Sequence, residues 1–261
     1  MLLMVSYAYD IFNLGYSPWE IEGKAFPNFT FYSAGYNYAS GTYGGVVGGN
    51  HRRYGVRVKF FTSGSMAMTD ENGDSLGTFS ANFVSVDGTY TVKVRGFTLK
   101  VGPSVRYASL SPQVRGVAVA TVLSAGRSFP KDWGYLRTYA TLDGIGYEVL
   151  PVGLRRSRTD FRGYVGGEVR YSHVVAQAQA SYYSVGGPSF SVASGLEYDL
   201  FRFKVGYNSH FSSLYGGYGR DRIAGMFFIF GLNYRSFAFT YAYNPLGLLG
   251  DRHVIGVAYS K

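Results

Sequence analysis

From Gly225 to its last residue the chain reads GMFFIFGLNYRSFAFTYAYNPLGLLGDRHVIGVAYSK. Phe237, Phe239, Tyr241 and Tyr243 share one parity, and Ala238, Thr240, Ala242 and Asn244 share the other. Successive side chains of a strand point to opposite faces. One face therefore requires apolar surroundings, and the other tolerates water. The pattern recurs upstream. Tyr54, Val56, Val58 and Phe60 oppose Arg53, Gly55, Arg57 and Lys59. Phe97, Leu99, Val101, Val105 and Tyr107 oppose Thr98, Lys100, Gly102, Ser104 and Arg106. Phe161, Val165, Val169 and Tyr171 oppose Arg162, Tyr164, Glu168 and Arg170, and Phe201, Phe203, Val205 and Tyr207 oppose Arg202, Lys204 and Gly206.

No run of this chain approaches the roughly 18 apolar residues of a membrane helix. Lipid admits only helices and closed sheets, because both satisfy every backbone polar group internally. Charged residues are 16% of the chain and aromatics 18%, with 25 Tyr, 36 Gly and 8 Pro. These values fit long strands carrying aromatic girdles at two interfaces. A soluble β-sandwich also alternates, but its outer face would carry Lys and Glu. Here the polar face is Gly, Ser, Thr, Tyr and Arg with few acids. The fold class expected is all-β, a transmembrane antiparallel barrel in a bacterial outer membrane. Cysteine is absent, which excludes disulfides, cysteine–zinc sites and thiol nucleophiles.

Parity counting predicts about fourteen strands, near 30–39, 42–49, 53–67, 79–94, 96–108, 113–125, 134–142, 161–171, 173–183, 187–197, 200–208, 222–234, 236–244 and 251–260. Short turns should alternate with longer loops, the turns at the periplasmic rim and the loops outside. Arg235-Ser236, Tyr198-Asp199, Ser172 and Arg95-Gly96 are the short turns. They interleave with long loops at 245–250, 209–221, 143–160 and 68–78. One predicted turn, 126–133, is longer than this rule allows. At the amino end, the apolar Met1–Val5 run and the small-x-small Ser6-Tyr7-Ala8 predict a signal-peptide remnant over 1–8. A luminal segment over 9–29 follows, then the barrel over 30–261.

The segment TYAYNPLGLLGDRHVIGVAYS at Thr240–Ser260 resembles the C-terminal hairpin of the PorV/PorQ-like outer-membrane proteins, relatives of the FadL-type transporters. GGPSFSVASGLEYDLFRFKVGYNS at Gly186–Ser209 is similar to an upstream hairpin of that family, and Leu150–Leu154 resembles the start of one of its strands. The segment SPWEIEGKAFPNFTFYSAGYNYAS stands where the family has a Gly-rich stretch ending in NPAGL, and the NPAGL core is missing. The closing Gly256 followed by Tyr259 resembles the outer-membrane assembly signal, from which Lys261 departs. The resemblance implies a 14-stranded barrel with an N-terminal segment in the lumen. It also implies either transport of hydrophobic compounds or an accessory role in secretion.

If the apolar parity faces lipid, Arg57, Lys59, Lys93, Arg95, Lys100, Arg106, Arg137, Arg162, Arg170, Arg202 and Lys204 line the lumen, with Glu168 and Glu197 as the chief acids. Much of the formal charge of +9 then lies inside. A low-dielectric wall lined by one sign attracts counter-ions. The expectation is an anion-preferring path for small or hydrophobic solutes, with Glu20, Glu22 and Lys24 belonging to a plug that docks on the basic wall. The alternative is a non-conducting structural or secretion-accessory barrel that binds a secreted or surface protein through its loops. Outer-membrane lipid is a partner in either case.

Other chemistry has little support. His51, His173, His210 and His253 lack metal-ligand spacing, and neither a nucleophile elbow nor a phosphate-binding loop occurs. Neither a catalytic site, a metal nor a cofactor is expected. The basic clusters His51-Arg52-Arg53 and Arg155-Arg156-Ser157-Arg158 are too small and separate for a nucleic-acid surface. The oligomeric state is not encoded in any feature of the sequence.

Overall fold

The structure, a computed structural model, describes residues 29–38, 41–69, 72–109, 114–151, 159, 161–184, 187–209, 225–245 and 251–261. The expected remnant over 1–8 and the plug residues Glu20, Glu22 and Lys24 lie outside these residues.

The strands in chain order are β1 (Phe29–Tyr38), β2 (Tyr43–His51), β3 (Tyr54–Thr62), β4 (Met66–Thr69), β5 (Ser75–Phe79), β6 (Asn82–Val94), β7 (Phe97–Ser109) and β8 (Arg115–Lys131). They continue with β9 (Gly134–Leu150), β10 (Arg162–Tyr171), β11 (Val174–Tyr183), β12 (Gly187–Glu197), β13 (Phe201–Asn208), β14 (Met226–Tyr234), β15 (Phe237–Pro245) and β16 (Asp251–Ser260). All but β4 and β5 form one closed barrel, and each strand is antiparallel to its neighbours. The sheet closes where β1 pairs with β16, from Thr30 opposite Ser260 to Tyr38 opposite Arg252. Backbone bonds between Phe29 and Lys261 seal that seam at 3.0 and 3.3 Å. Closure removes both sheet edges, which is what lipid requires.

The predicted boundaries change at three places, the first of which also moves the start of the strand expected over 79–94 to Asn82. The expected strand over 53–67 ends at Thr62, where the chain leaves the barrel wall. Gly64 takes a positive φ of 68°. The Ala81 N–H donates to Ser63 Oγ, and the Ser63 N–H donates to the Ala81 carbonyl, each at 2.9 Å, which closes the base of the excursion. Within it, β4 and β5 pair as a separate two-stranded sheet. The long turn expected over 126–133 is instead the two residues Asp132-Trp133, because β8 continues to pair with β9 through Phe129 opposite Leu136 and Lys131 opposite Gly134. The loop expected from 143 begins only after Leu150. Gly144, at φ 98°, is the extra residue of a bulge between Asp143 and Ile145. A bulge advances one strand by one residue and exchanges its faces. Asp143 lies before the exchange, in step with the buried Tyr139 and Thr141, and is buried, while Ile145, Tyr147 and Val149 beyond it are exposed.

The exposed face forms a continuous apolar wall: Val165 is 59% exposed, Ile255 64% and Val105 49%. The buried face points inward. There Tyr32, Tyr36, Phe61, Phe83, Tyr139, Tyr164 and Phe227 pack with polar and charged residues. Gly44 and Gly48 of β2 lie beneath the hydroxyls of Tyr36 and Tyr32, so a Cβ at either glycine would collide with the ring above it. Two-residue turns at Arg52-Arg53, Arg95-Gly96, Asp132-Trp133, Ser172-His173 and Arg235-Ser236 share one rim with Phe29 and Lys261.

Candidate functional site: the charged lumen

Alternation carries the basic residues inward. Arg57 and Lys59 of β3, Arg106 of β7, Arg162 and Arg170 of β10, Arg202 and Lys204 of β13, Lys100 of β7 and Arg137 of β9 all lie on the parity opposite the apolar wall. Lys93 lies on that parity near the end of β6, where it is exposed. Arg95 differs: it sits in the turn beyond Val94, exposed and at φ 49°, so it belongs to the rim and not to the lumen wall.

The inward acids are more numerous than Glu168 and Glu197. Asp87 of β6 is 0% exposed. Arg57 donates to Asp87 through Nε at 2.9 Å and lies 2.7 Å away through Nη2, while Ser104 Oγ donates to the other carboxylate oxygen at 2.7 Å. Lys59 Nζ lies 3.2 Å from Asp87 and 3.4 Å from Asp143. Asp143 also takes Arg106 at 2.7 Å and Arg162 at 3.6 Å. Two carboxylates and four cations thus form one buried network whose members come from β3, β6, β7, β9 and β10. Charges this deep persist only when paired and hydrogen-bonded.

A second network centres on Glu168, which is 2% exposed. It accepts from the Tyr135 hydroxyl at 2.6 Å and pairs with Lys204 at 3.4 Å and Arg137 at 3.7 Å. Nearby, the Tyr139 hydroxyl accepts from Gln177 and donates to Gln179, each at 3.1 Å. Arg170 meets Glu197 at 3.5 Å closer to the turns.

Both networks include contacts between strands that are not neighbours. Lys59 of β3 reaches Asp143 of β9, although β6, β7 and β8 lie between them in the sheet. Lys204 of β13 reaches Glu168 of β10 across β11 and β12. Such pairs meet only through the interior, so charged side chains cross parts of the bore. Among the described charged residues, Asp87, Asp143, Glu148 and the fully buried Arg252 are the inward ones that sequence reasoning missed. Asp87 shares the parity of Ser85 and Thr91 and was legible from it. Asp143 was hidden by the bulge.

No protein-family model matches the chain, and no curated protein matches it. Solved structures do. The monoaromatic hydrocarbon channel TodX, as a deltaS2 mutant, matches at a TM-score of 0.54 and 10% identity, over 95% of this chain and 93% of that one. A Pseudomonas aeruginosa FadL homologue matches at a TM-score of 0.50 and 10% identity, over 92% and 96%. The fold is that of an outer-membrane β-barrel. A KdgM porin also aligns, at a TM-score of 0.42 and 11% identity over 89% of this chain and 99% of that one. At these identities the likeness is one of fold, and the barrel's chemistry rests on its own lumen.

Proposed function

We propose that this barrel is an outer-membrane channel for small solutes, with an inward wall that favours anions and no catalytic role. The observation that supports this reading is the charge of that wall. Arg57, Lys59, Lys100, Arg106, Arg137, Arg162, Arg170, Arg202, Lys204 and Arg252 outnumber Asp87, Asp143, Glu148, Glu168 and Glu197 among the described inward residues. A surplus of one sign within low-dielectric walls raises the local concentration of the opposite ion. The structural neighbour reported first, a monoaromatic hydrocarbon channel, supports extending the reading to hydrophobic solutes.

The test is conductance of the purified, folded protein in a planar bilayer under a salt gradient. Steady current that reverses toward the anion equilibrium potential is expected. Reversal toward the cation potential would refute the anion preference, and silence would refute an open path. Silence relieved by deleting residues 9–29 would assign those residues the role of plug.

A second reading is a non-conducting barrel that holds a secreted or surface protein, in the manner of the PorV/PorQ-like accessories. The interior contacts Lys59–Asp143 and Lys204–Glu168 favour it, because they reduce the open cross-section. Silence that persists without residues 9–29, together with a protein co-purifying from native membranes, would support it.

A further inference from the structure

Among the described residues, the non-glycine positions with positive φ are Arg52, Arg95, Ser172 and Arg235, at 49–53°. Each opens a two-residue turn on the same rim. A left-handed backbone is tolerated chiefly by Gly, Asn and Asp, yet three of these four positions hold arginine. Their side chains are exposed, and strain kept at exposed positions points to a use for the side chain.

Three successive turns around this rim form a basic arc. The β2–β3 turn supplies Arg52 and Arg53, the β6–β7 turn Arg95, and the β8–β9 hairpin Arg127 and Lys131, with Asp132 the acid on its tip. Arg127 adds an independent observation. It pairs with Phe97 on the outward, lipid-facing parity, and its guanidinium lies 5.0 Å from the Phe97 ring centre and 4.7 Å from that of Phe129. Rings accompany the arc along its length. Tyr54 packs on Tyr90, whose hydroxyl accepts from Arg53 at 3.4 Å, and Trp133 packs on Tyr171. Aromatic side chains of this kind mark the headgroup level of a bilayer. A lipid-facing guanidinium at that level meets phosphate, whose oxygens match its planar fork.

We propose that Arg52, Arg53, Arg95, Arg127 and Lys131 form a binding arc for the phosphates of anionic phospholipids in the leaflet at the turn rim. The inference rests on the outer-membrane reading and not on conduction. A silent barrel that enriches anionic lipid would retain it while refuting the channel.

Trp133 lies within the arc and can report on it. The full chain carrying Trp19→Phe is reconstituted in phosphatidylcholine containing a minor fraction of brominated phosphatidylglycerol or brominated phosphatidylcholine. Quenching of Trp133 measures the relative affinity of the two lipids. Preference for phosphatidylglycerol is expected, by about fivefold for each cation engaged. The variant Arg52→Asn/Arg95→Asn/Arg127→Gln should lose most of the preference. Asparagine suits the left-handed backbone, so the fold should survive, and heat-modified gel mobility checks this. Equal quenching by both lipids would overturn the proposal and leave the arc as a surface for an acidic protein. Relief of quenching by inorganic phosphate at constant ionic strength would also overturn it, reassigning the arc to free phosphate.

Discussion

Asp143 carries more of the lumen's organisation than any other described carboxylate, since Lys59, Arg106 and Arg162 all converge on it. Asp143→Asn would leave those three buried cations without their common counter-charge. Removing one partner from a buried ion pair costs about 3–5 kcal/mol. Asp143→Asn is therefore expected to lower the unfolding free energy of the detergent-folded barrel by an amount in that range, with a matching fall in the urea midpoint, as read by urea titration of tryptophan fluorescence. Glu197→Gln supplies the contrast. Its pair with Arg170 is partly exposed near the rim, and such pairs contribute about 0–1 kcal/mol. A midpoint shift as large as that of Asp143→Asn would contradict the ranking. The inward position of Arg57 or Lys204 was legible because each alternates with large apolar neighbours. Asp143 was not, since Asp143-Gly144-Ile145-Gly146 interrupts the apolar parity at the point where the faces exchange.

At the scale of the strand, the two faces differ in what they tolerate. Val105 is outward on β7, and its neighbours Ser104 and Arg106 are buried inward. Val105→Arg would place a charge against lipid, at a cost of about 2–4 kcal/mol near the bilayer midplane and less toward the interfaces. Its folding yield into vesicles is expected to fall, whereas Ser124→Thr on the inward face of β8 should fold as the parent does. Equal yields would mean that the outward face is not lipid-facing. The bulge in β9 makes a separate prediction. Gly144→Ala forces a side chain into a left-handed backbone, which costs about 1–2 kcal/mol. Its unfolding midpoint should drop accordingly. The extent of β8 and β9 illustrates where period-2 reasoning stops. Gly126-Arg127-Ser128 and Gly144 each interrupt the apolar alternation, but backbone pairing runs through the first and resumes at Ile145 after the second, because ladder bonds do not depend on side-chain polarity.

At the scale of the whole molecule, the barrel depends on joining its two ends. β16 pairs with β1 on one side and β15 on the other. Deleting residues 251–261 would expose the edges of both neighbours to lipid, where each unsatisfied backbone group costs several kcal/mol. The truncated chain is expected to show no compact, heat-modifiable band on cold gel electrophoresis. A compact band would mean that the sheet closes without its last strand.

Three features were set by the sequence alone: the number of barrel strands, the identity of the outward apolar side, and the alternation of short turns with longer connections. All follow from local rules, namely a side-chain period of two and a tight reversal at Arg235-Ser236 or Ser172-His173, and local rules can be read along the chain. Tertiary structure decided which charges meet. Lys59 finds Asp143 and Lys204 finds Glu168 across the interior of a closed sheet, past two or more intervening strands. Those contacts depend on the register of every hairpin between the partners. Each register step shifts the facing residues, so the pairing across the lumen is the accumulated result of many local choices and is not visible in any one of them.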